Sequence, residues 1–220
     1  MTTATDAQRS TSSTGNRGEA EKERITAPSG RLEGLASRRV WIASAALFLP
    51  FAVIFFASPA PFSIPEVQAA CGEVPLDMRF FTTGDGVMNF LDACGPNGRS
   101  AYQNLQIADL LYPAVVGLFL ASSLALALSR ISPRGAGAWL IVIPVLAGAF
   151  DYLENAFAWL ALSAYPNPII TNHMLGFASA AKTTTSWVGG VVLMVSLGFL
   201  VARAGRRAVR SASALRTTAS

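Results

Sequence analysis

Between Arg39 and Glu66 the chain carries no charged residue, and three more apolar runs of comparable length follow. An α-helix needs about 20 consecutive apolar residues to cross the hydrocarbon core of a bilayer. By that measure the pattern predicts spans at about 40–58, 104–129, 137–165 and 173–202. One such run could be the buried helix of a soluble core; four within about 165 residues argue for a membrane domain. The predicted fold is all-α, a four-transmembrane-helix bundle over residues 40–206. Residues 1–39 are rich in Ser, Thr, Gly, Arg and Glu and lack apolar periodicity, and residues 207–220 are similar. Segments of that kind bury too little apolar surface to offset their ordering entropy, so both are read as disordered tails, the second basic.

The long connection between the first two runs has a pattern of its own. Val87, Phe90, Leu91 and Cys94 follow i, i+3, i+4, i+7 spacing, one face of a short amphipathic helix, with Asp85 at its N-terminal end. Leu76, Met78 and Phe80 alternate with polar residues, which predicts an extended segment. The expected role is a lid over the bundle in preference to a gate. The only two cysteines, Cys71 and Cys94, lie in this connection. Their single possible pairing closes a loop of about 24 residues and contributes ~3 kcal/mol. They lack the close C-x-x-C spacing of thiol oxidases, so the disulfide is read as structural.

Composition agrees with the pattern. The chain is 52% hydrophobic and 14% charged, against about 25% charged in ordinary soluble domains, and its mean hydropathy is +0.42. A pI near 9.5 does not point to nucleic acid, because the cations are distributed by topology. Arg9, Arg17, Lys22, Arg24, Arg31, Arg38 and Arg39 precede the first span, Arg130 and Arg134 lie between the second and third, and Arg203, Arg206, Arg207, Arg210 and Arg216 follow the fourth. That places 14 of the 17 cations on one side. The positive-inside rule then puts both termini in the cytoplasm and turns loops 59–103 and 166–172 outward. Arginine supplies 15 of the 17 cations, the usage of a high-GC bacterium, so the expected location is a bacterial inner (plasma) membrane. A stretch of about 39 residues ahead of the first span is too long for a signal-peptide n-region, and the span is expected to be retained.

Polar residues inside the apolar runs carry the candidate chemistry. Asp151, Glu154 and Asn155, at i, i+3, i+4, share one helix face in the third span. Lys182 interrupts the fourth and is followed by Thr183, Thr184, Thr185 and Ser186; Asp109 lies near the start of the second, with Tyr112 one turn deeper and Gln103 and Asn104 above. A charge at the centre of a membrane helix costs roughly 2.5–3.5 kcal/mol, so such groups face the bundle interior and find partners there. At about 1.5 Å per residue, Glu154 lies roughly 16 Å and Lys182 roughly 14 Å below the outer surface. The short loop 166–172 makes the two spans antiparallel neighbours. Lys182 is therefore expected to pair with Glu154 or Asp151. Three carboxylates against one ammonium leave two negative charges for protons, a cation or another partner to balance. The cluster can be read as a buried ion pair that sets helix register, as a pocket for a lipid or small amphiphile, or as a proton or cation path. Oxygen ligands would suit Mg or Mn, but no recognised ligand spacing is present, so no metal and no cofactor are expected. His173, the only histidine, falls at the outer interface. Pro50, Pro113 and Pro144 are expected to kink three spans.

Several of these residues also fall in a recurring combination. Leu76-Asp77-Met78-Arg79-Phe80, Gly95-Pro96-Asn97-Gly98-Arg99 with Tyr102, Asp109 with Tyr112-Pro113, and Asp151-Tyr152-Leu153-Glu154-Asn155 together resemble a family of small bacterial four-transmembrane-helix proteins, uncharacterised in activity. The resemblance covers about residues 70–190. It implies the four-span fold, adds weight to Asp109, Asp151, Glu154 and Asn155, and transfers no mechanism. The architecture is also similar to the emopamil-binding and sigma-2-receptor group, four-helix membrane bundles with acids around a lipid-accessible pocket, although no buried histidine of their kind is present here.

The expected function is an intramembrane polar pocket that binds a lipid or small amphiphile at Asp151 and Glu154, with Lys182 as counter-ion. A proton-coupled carrier relaying charge through Asp109, Asp151 and Glu154, and a scaffolding subunit with a buried ion pair, are the alternatives. The expected partners are membrane lipids and such a ligand, not nucleic acid. Catalysis is not implied by any residue pattern.

Overall fold

The computed structural model describes residues 34–132 and 137–217, with side chains to residue 207. The tail expected at 1–39 thus lies outside the described residues up to position 33, as does Arg134. The helices are α1 (Arg38–Ala57), α2 (Ile64–Cys71), α3 (Gly84–Asp109), α4 (Tyr112–Ile131), α5 (Val142–Ala164) and α6 (Thr171–Thr217), with 3₁₀ turns at Leu76–Met78 and Ala138–Ile141; among the described residues there is no strand. Four stretches are long and apolar enough to cross a membrane: Arg38–Ala57, Gly84–Ile131, Ala138–Ala164 and Thr171–Arg207. The last helix continues to Thr217, past position 206, where the sequence pattern ends the folded part.

Helices α1 and α4 meet along a seam with coiled-coil spacing. Trp41 donates to Ser123 Oγ at 3.0 Å, Ser44 and Ser122 share a buried hydroxyl contact of 3.0 Å, and Phe48 stacks on Phe119 at 4.8 Å. Phe51 and Phe55 then stack on Tyr112. Positions 41, 44, 48, 51 and 55 advance by three and four residues, so they form one stripe, and their partners descend along α4, so the two helices are antiparallel. Small hydroxyl residues that allow close approach and bond across the contact are typical glue between apolar helices.

Two of the three prolines sit elsewhere than expected. Pro50 is inside α1, but Pro113 and Pro144 occupy the first turns of α4 and α5, where a missing N–H costs no intrahelical bond. Pro113 has a different consequence. The second predicted span, 104–129, straddles a break at Leu110 and Leu111: residues 104–109 complete α3, and the apolar helix proper begins at Tyr112. Pro113 has no N–H to offer the Asp109 carbonyl four residues back. Asn155 Nδ2 on α5 takes that carbonyl at 3.2 Å, and the Tyr152 hydroxyl takes the Leu110 carbonyl at 3.1 Å. Helix α5 thus satisfies the backbone that the break leaves open.

At the same end of the bundle, α2 and α3 form a cap with an apolar core. Val67, Leu76, Val87, Phe90 and Leu91 are fully buried, together with the Cys71–Cys94 disulfide, and this core is continuous with Ala158 and Ala161 of α5 and Leu175 of α6. The amphipathic face expected at 87, 90, 91 and 94 is therefore the packed face. Thr83 caps the helix by accepting from Gly86 N, with Asp85 in the first turn. Gly95, at φ 59°, kinks α3 just before Pro96; only glycine adopts that angle without strain. Arg99 closes the kink by donating to the Leu91 carbonyl at 2.9 Å while lying over the Tyr165 ring. The extended segment expected at 76–80 is instead a 3₁₀ turn: Leu76 alone is buried, while Met78 and Phe80 are exposed. Alternation fails here because Arg79 folds back onto the Val74 carbonyl and Glu73, which tightens the chain into a turn. Gly176 lets that segment cross α6, since a Cβ there would overlap the Thr82 backbone.

Candidate functional site

Among the described residues, α5 and α6 form the most extensive contact between helices, and the charged cluster lies within it. Lys182 pairs with Glu154 Oε2 and, at 3.3 Å, with Asp151 Oδ1. Both carboxylates expected as partners of Lys182 thus share the ammonium. The third Nζ proton goes to the main-chain carbonyl of Asp77 at 3.1 Å. Neither Asp151 Oδ1 nor Glu154 Oε2 has a further hydrogen-bond partner. The other Glu154 oxygen meets the Ser179 hydroxyl, which also lies 3.0 Å from the Leu175 carbonyl. One hydroxyl proton serves two acceptors there.

Asp77 is the main residue that sequence reasoning missed as a member of the site. The 3₁₀ turn brings its carboxylate down onto α3, where Gln106 Nε2 donates to both oxygens at 2.9 and 3.0 Å and the Tyr102 hydroxyl approaches at 3.4 Å. Burial holds the Asp77 carboxyl above its ordinary range, against the attraction of Lys182 and the bonds from Gln106 and Tyr102. Asp109, Asp151 and Glu154 are the other acids of this neighbourhood. A raised folded-state value means that the Asp77 contribution to cap docking is complete below its ordinary value of 3.8 and is lost as pH rises through the raised one. Melting curves from pH 4 to pH 8 are therefore expected to fall less with pH in Asp77→Asn than in the native protein; equal slopes would rule this out.

Asp109 is buried at the end of α3 beside Asn155, and Gln106, not Gln103 or Asn104, faces inward with it. Tyr112 is half-buried in the aromatic group of Phe51, Phe55 and Phe56, within electrostatic reach of Asp151 and Asp109. Thr183 is half-buried and has no side-chain hydrogen bond among the described residues, whereas Thr185 bonds back to the Ala181 carbonyl at 2.7 Å. His173 is exposed against Gly84 at the cap. Spacing held a signal for the residues not singled out. Tyr102, Gln106 and Asp109 lie four and three residues apart on one helix face, and Ser179 is one turn before Lys182.

Four carboxylates thus surround one ammonium. The Gln106 and Asn155 amide oxygens add two buried acceptors without a partner. Among the described residues, no group of three His, Cys, Asp or Glu side chains is placed to hold a metal ion. Comparison with models of known protein families, with curated proteins and with solved structures gives no match.

Proposed function

We propose that this chain is a multi-pass protein of a bacterial inner membrane, with both termini cytoplasmic, whose buried acid cluster binds a small amphiphile with a cationic or donor-rich head. Large apolar side chains stand exposed along the long helices, Val53, Leu118, Val145, Trp187 and Val195 among them, more apolar surface than a soluble monomer usually leaves in water. Arg38, Arg130 and Arg203 gather at the end of the bundle opposite the disulfide, the arrangement expected when the arginines stay in the cytoplasm and the cysteines face an oxidising compartment.

One observation carries the ligand reading: acceptors outnumber donors in a site that is largely buried. Asp77, Asp109, Asp151 and Glu154 present four carboxylates, Gln106 and Asn155 add unpartnered oxygens, and Lys182 spends its protons on two of the carboxylates and on the Asp77 main-chain carbonyl. A ligand ammonium supplies both the charge and the N–H groups. The aromatic faces of Phe51, Phe55 and Tyr112 beside the acids would suit its apolar part and, through their π-electrons, its charge.

The test uses purified protein in lipid nanodiscs and two probes of equal chain length, dodecylamine and dodecanol. Saturable binding of the amine, at least tenfold tighter than the alcohol and lost in Asp109→Asn, is the expected result. Equal affinity for the two probes would reject the reading. The second reading, a proton-coupled carrier, rests on the same excess of carboxylates, with protons in the ligand's place. It requires pH-dependent flux in reconstituted vesicles that Asp151→Asn abolishes.

A further inference from the structure

We propose a second binding site at the arginine end of the bundle, a cleft between α1, α4 and α6 that holds one anionic glycerophospholipid. The cleft has a volume of about 450 Å³, within the ~300–1,000 Å³ usual for small-molecule sites. Its walls are apolar, with Leu193, Leu197 and Leu200 of α6 on one side, and its mouth holds Arg38 and Arg130 with Trp41 between the helices. A smaller hollow continues it past Arg130 to Arg203.

Three features select the occupant. First, neither Arg38 nor Arg130 has a carboxylate within ion-pair distance among the described residues. The described Asp and Glu side chains belong to the cap and to the buried cluster. Two planar guanidiniums on neighbouring helices match the oxygens of one phosphodiester. Second, the leucine wall runs from that mouth toward the bundle centre along α6, so a bound phosphate would have an acyl chain, not water, beneath it. Third, Trp41 is fixed by its bond to Ser123 Oγ at 3.0 Å. In the membrane orientation proposed above, its ring stands at the level where tryptophan meets lipid headgroups. Basic pockets between membrane helices on the cytoplasmic side take anionic headgroups in this way. A zwitterionic lipid carries its own ammonium and would present it to the same arginines. The site is separate from the acid cluster and does not rest on the ligand reading given above.

Native mass spectrometry of the full chain, titrated with dioleoyl phosphatidylglycerol or dioleoyl phosphatidylcholine, tests the proposal. Each cation near the membrane surface is worth about 1 kcal/mol, so two predict a preference for phosphatidylglycerol of about tenfold or more. Arg38→Gln/Arg130→Gln should reduce the preference to about twofold, and Arg38→Lys/Arg130→Lys should restore part of it, on the same charge argument. Glycerol phosphate at the same concentration should not compete. Equal binding of the two lipids, or an unchanged preference in the Gln variant, overturns the proposal. Competition by glycerol phosphate overturns the role of the leucine wall. The acidic residues Glu19, Glu21, Glu23 and Glu33 precede α1. If changing all four to Gln raises phosphatidylglycerol binding tenfold, the N-terminal segment is the native occupant and the lipid is not.

Discussion

Lys182→Met is expected to lower stability by about 3–5 kcal/mol, the usual effect of leaving a buried charge without its partner. The side chain is irreplaceable for a geometric reason. Its one ammonium serves Glu154 and Asp151 on α5 and the Asp77 carbonyl in the cap, so its loss affects both the α5–α6 contact and the docking of the cap. Glu154 is fully buried, so bulk solvent does not reach it in place of the ammonium. Reversible unfolding in mild detergent measures the effect, and a loss under about 1 kcal/mol would show that the carboxylates are relieved by something other than Lys182.

The double variant Lys182→Met/Glu154→Gln separates a structural role from a binding one. Exchanging a whole buried ion pair for neutral groups is often close to neutral, although removing one member is costly. The double variant should therefore recover much of what the single one loses, with Asp151 the one acid that has lost its ion partner. A scaffold would then behave as the native protein does. A ligand site would not, because the exchange removes Glu154, one of the carboxylates proposed to receive the ligand head, even though the net charge of the cluster is unchanged. Recovered stability with weakened dodecylamine binding supports the site; recovered stability with binding unchanged removes Glu154 from it.

How much of this was legible in the chain depended on the range of the contacts. The four apolar stretches and the 87/90/91/94 face are local patterns, and they reappear as helices and as a packed face. The Lys182–Glu154 pairing was also accessible, because one short loop joins the two helices and residue counts give comparable depths. Asp77 was not accessible as a site residue. It lies 105 positions from Lys182, and a 3₁₀ turn, which apolar alternation does not report, carries it into the site. The prolines were misread for a related reason. The same residue breaks a helix in its middle and starts one in its first turn, and the apolar pattern does not locate the first turn to within two or three residues. The helix break at Leu110–Leu111 was hidden because both of its sides are apolar.

Reduction of the Cys71–Cys94 disulfide, or Cys71→Ser/Cys94→Ser, is expected to cost about 3 kcal/mol from the chain entropy of the opened loop, and the loss should be confined to the cap. Helix α2 has only eight residues, too few to persist without tertiary support. Its buried side chains Ile64 and Val67 belong to the same core as Phe90 and Leu91, and the disulfide is its covalent tie to α3. Helix α3 is better anchored. Phe90 and Tyr102 pack edge to face at 5.1 Å, Leu105 is buried, and Arg99 and Tyr165 hold the kink to the end of α5. Reduction should thus raise amide exchange in residues 64–71 by two orders of magnitude or so, the equivalent of about 3 kcal/mol. Exchange in α5 and α6 should change little, and Lys182 should keep its partners. Unchanged protection in α2 after reduction would mean that apolar packing alone holds the helix. Loosening spread evenly over α5 and α6 would mean that the cap and the charged cluster unfold as one unit, so that the disulfide sets the stability of the charged site.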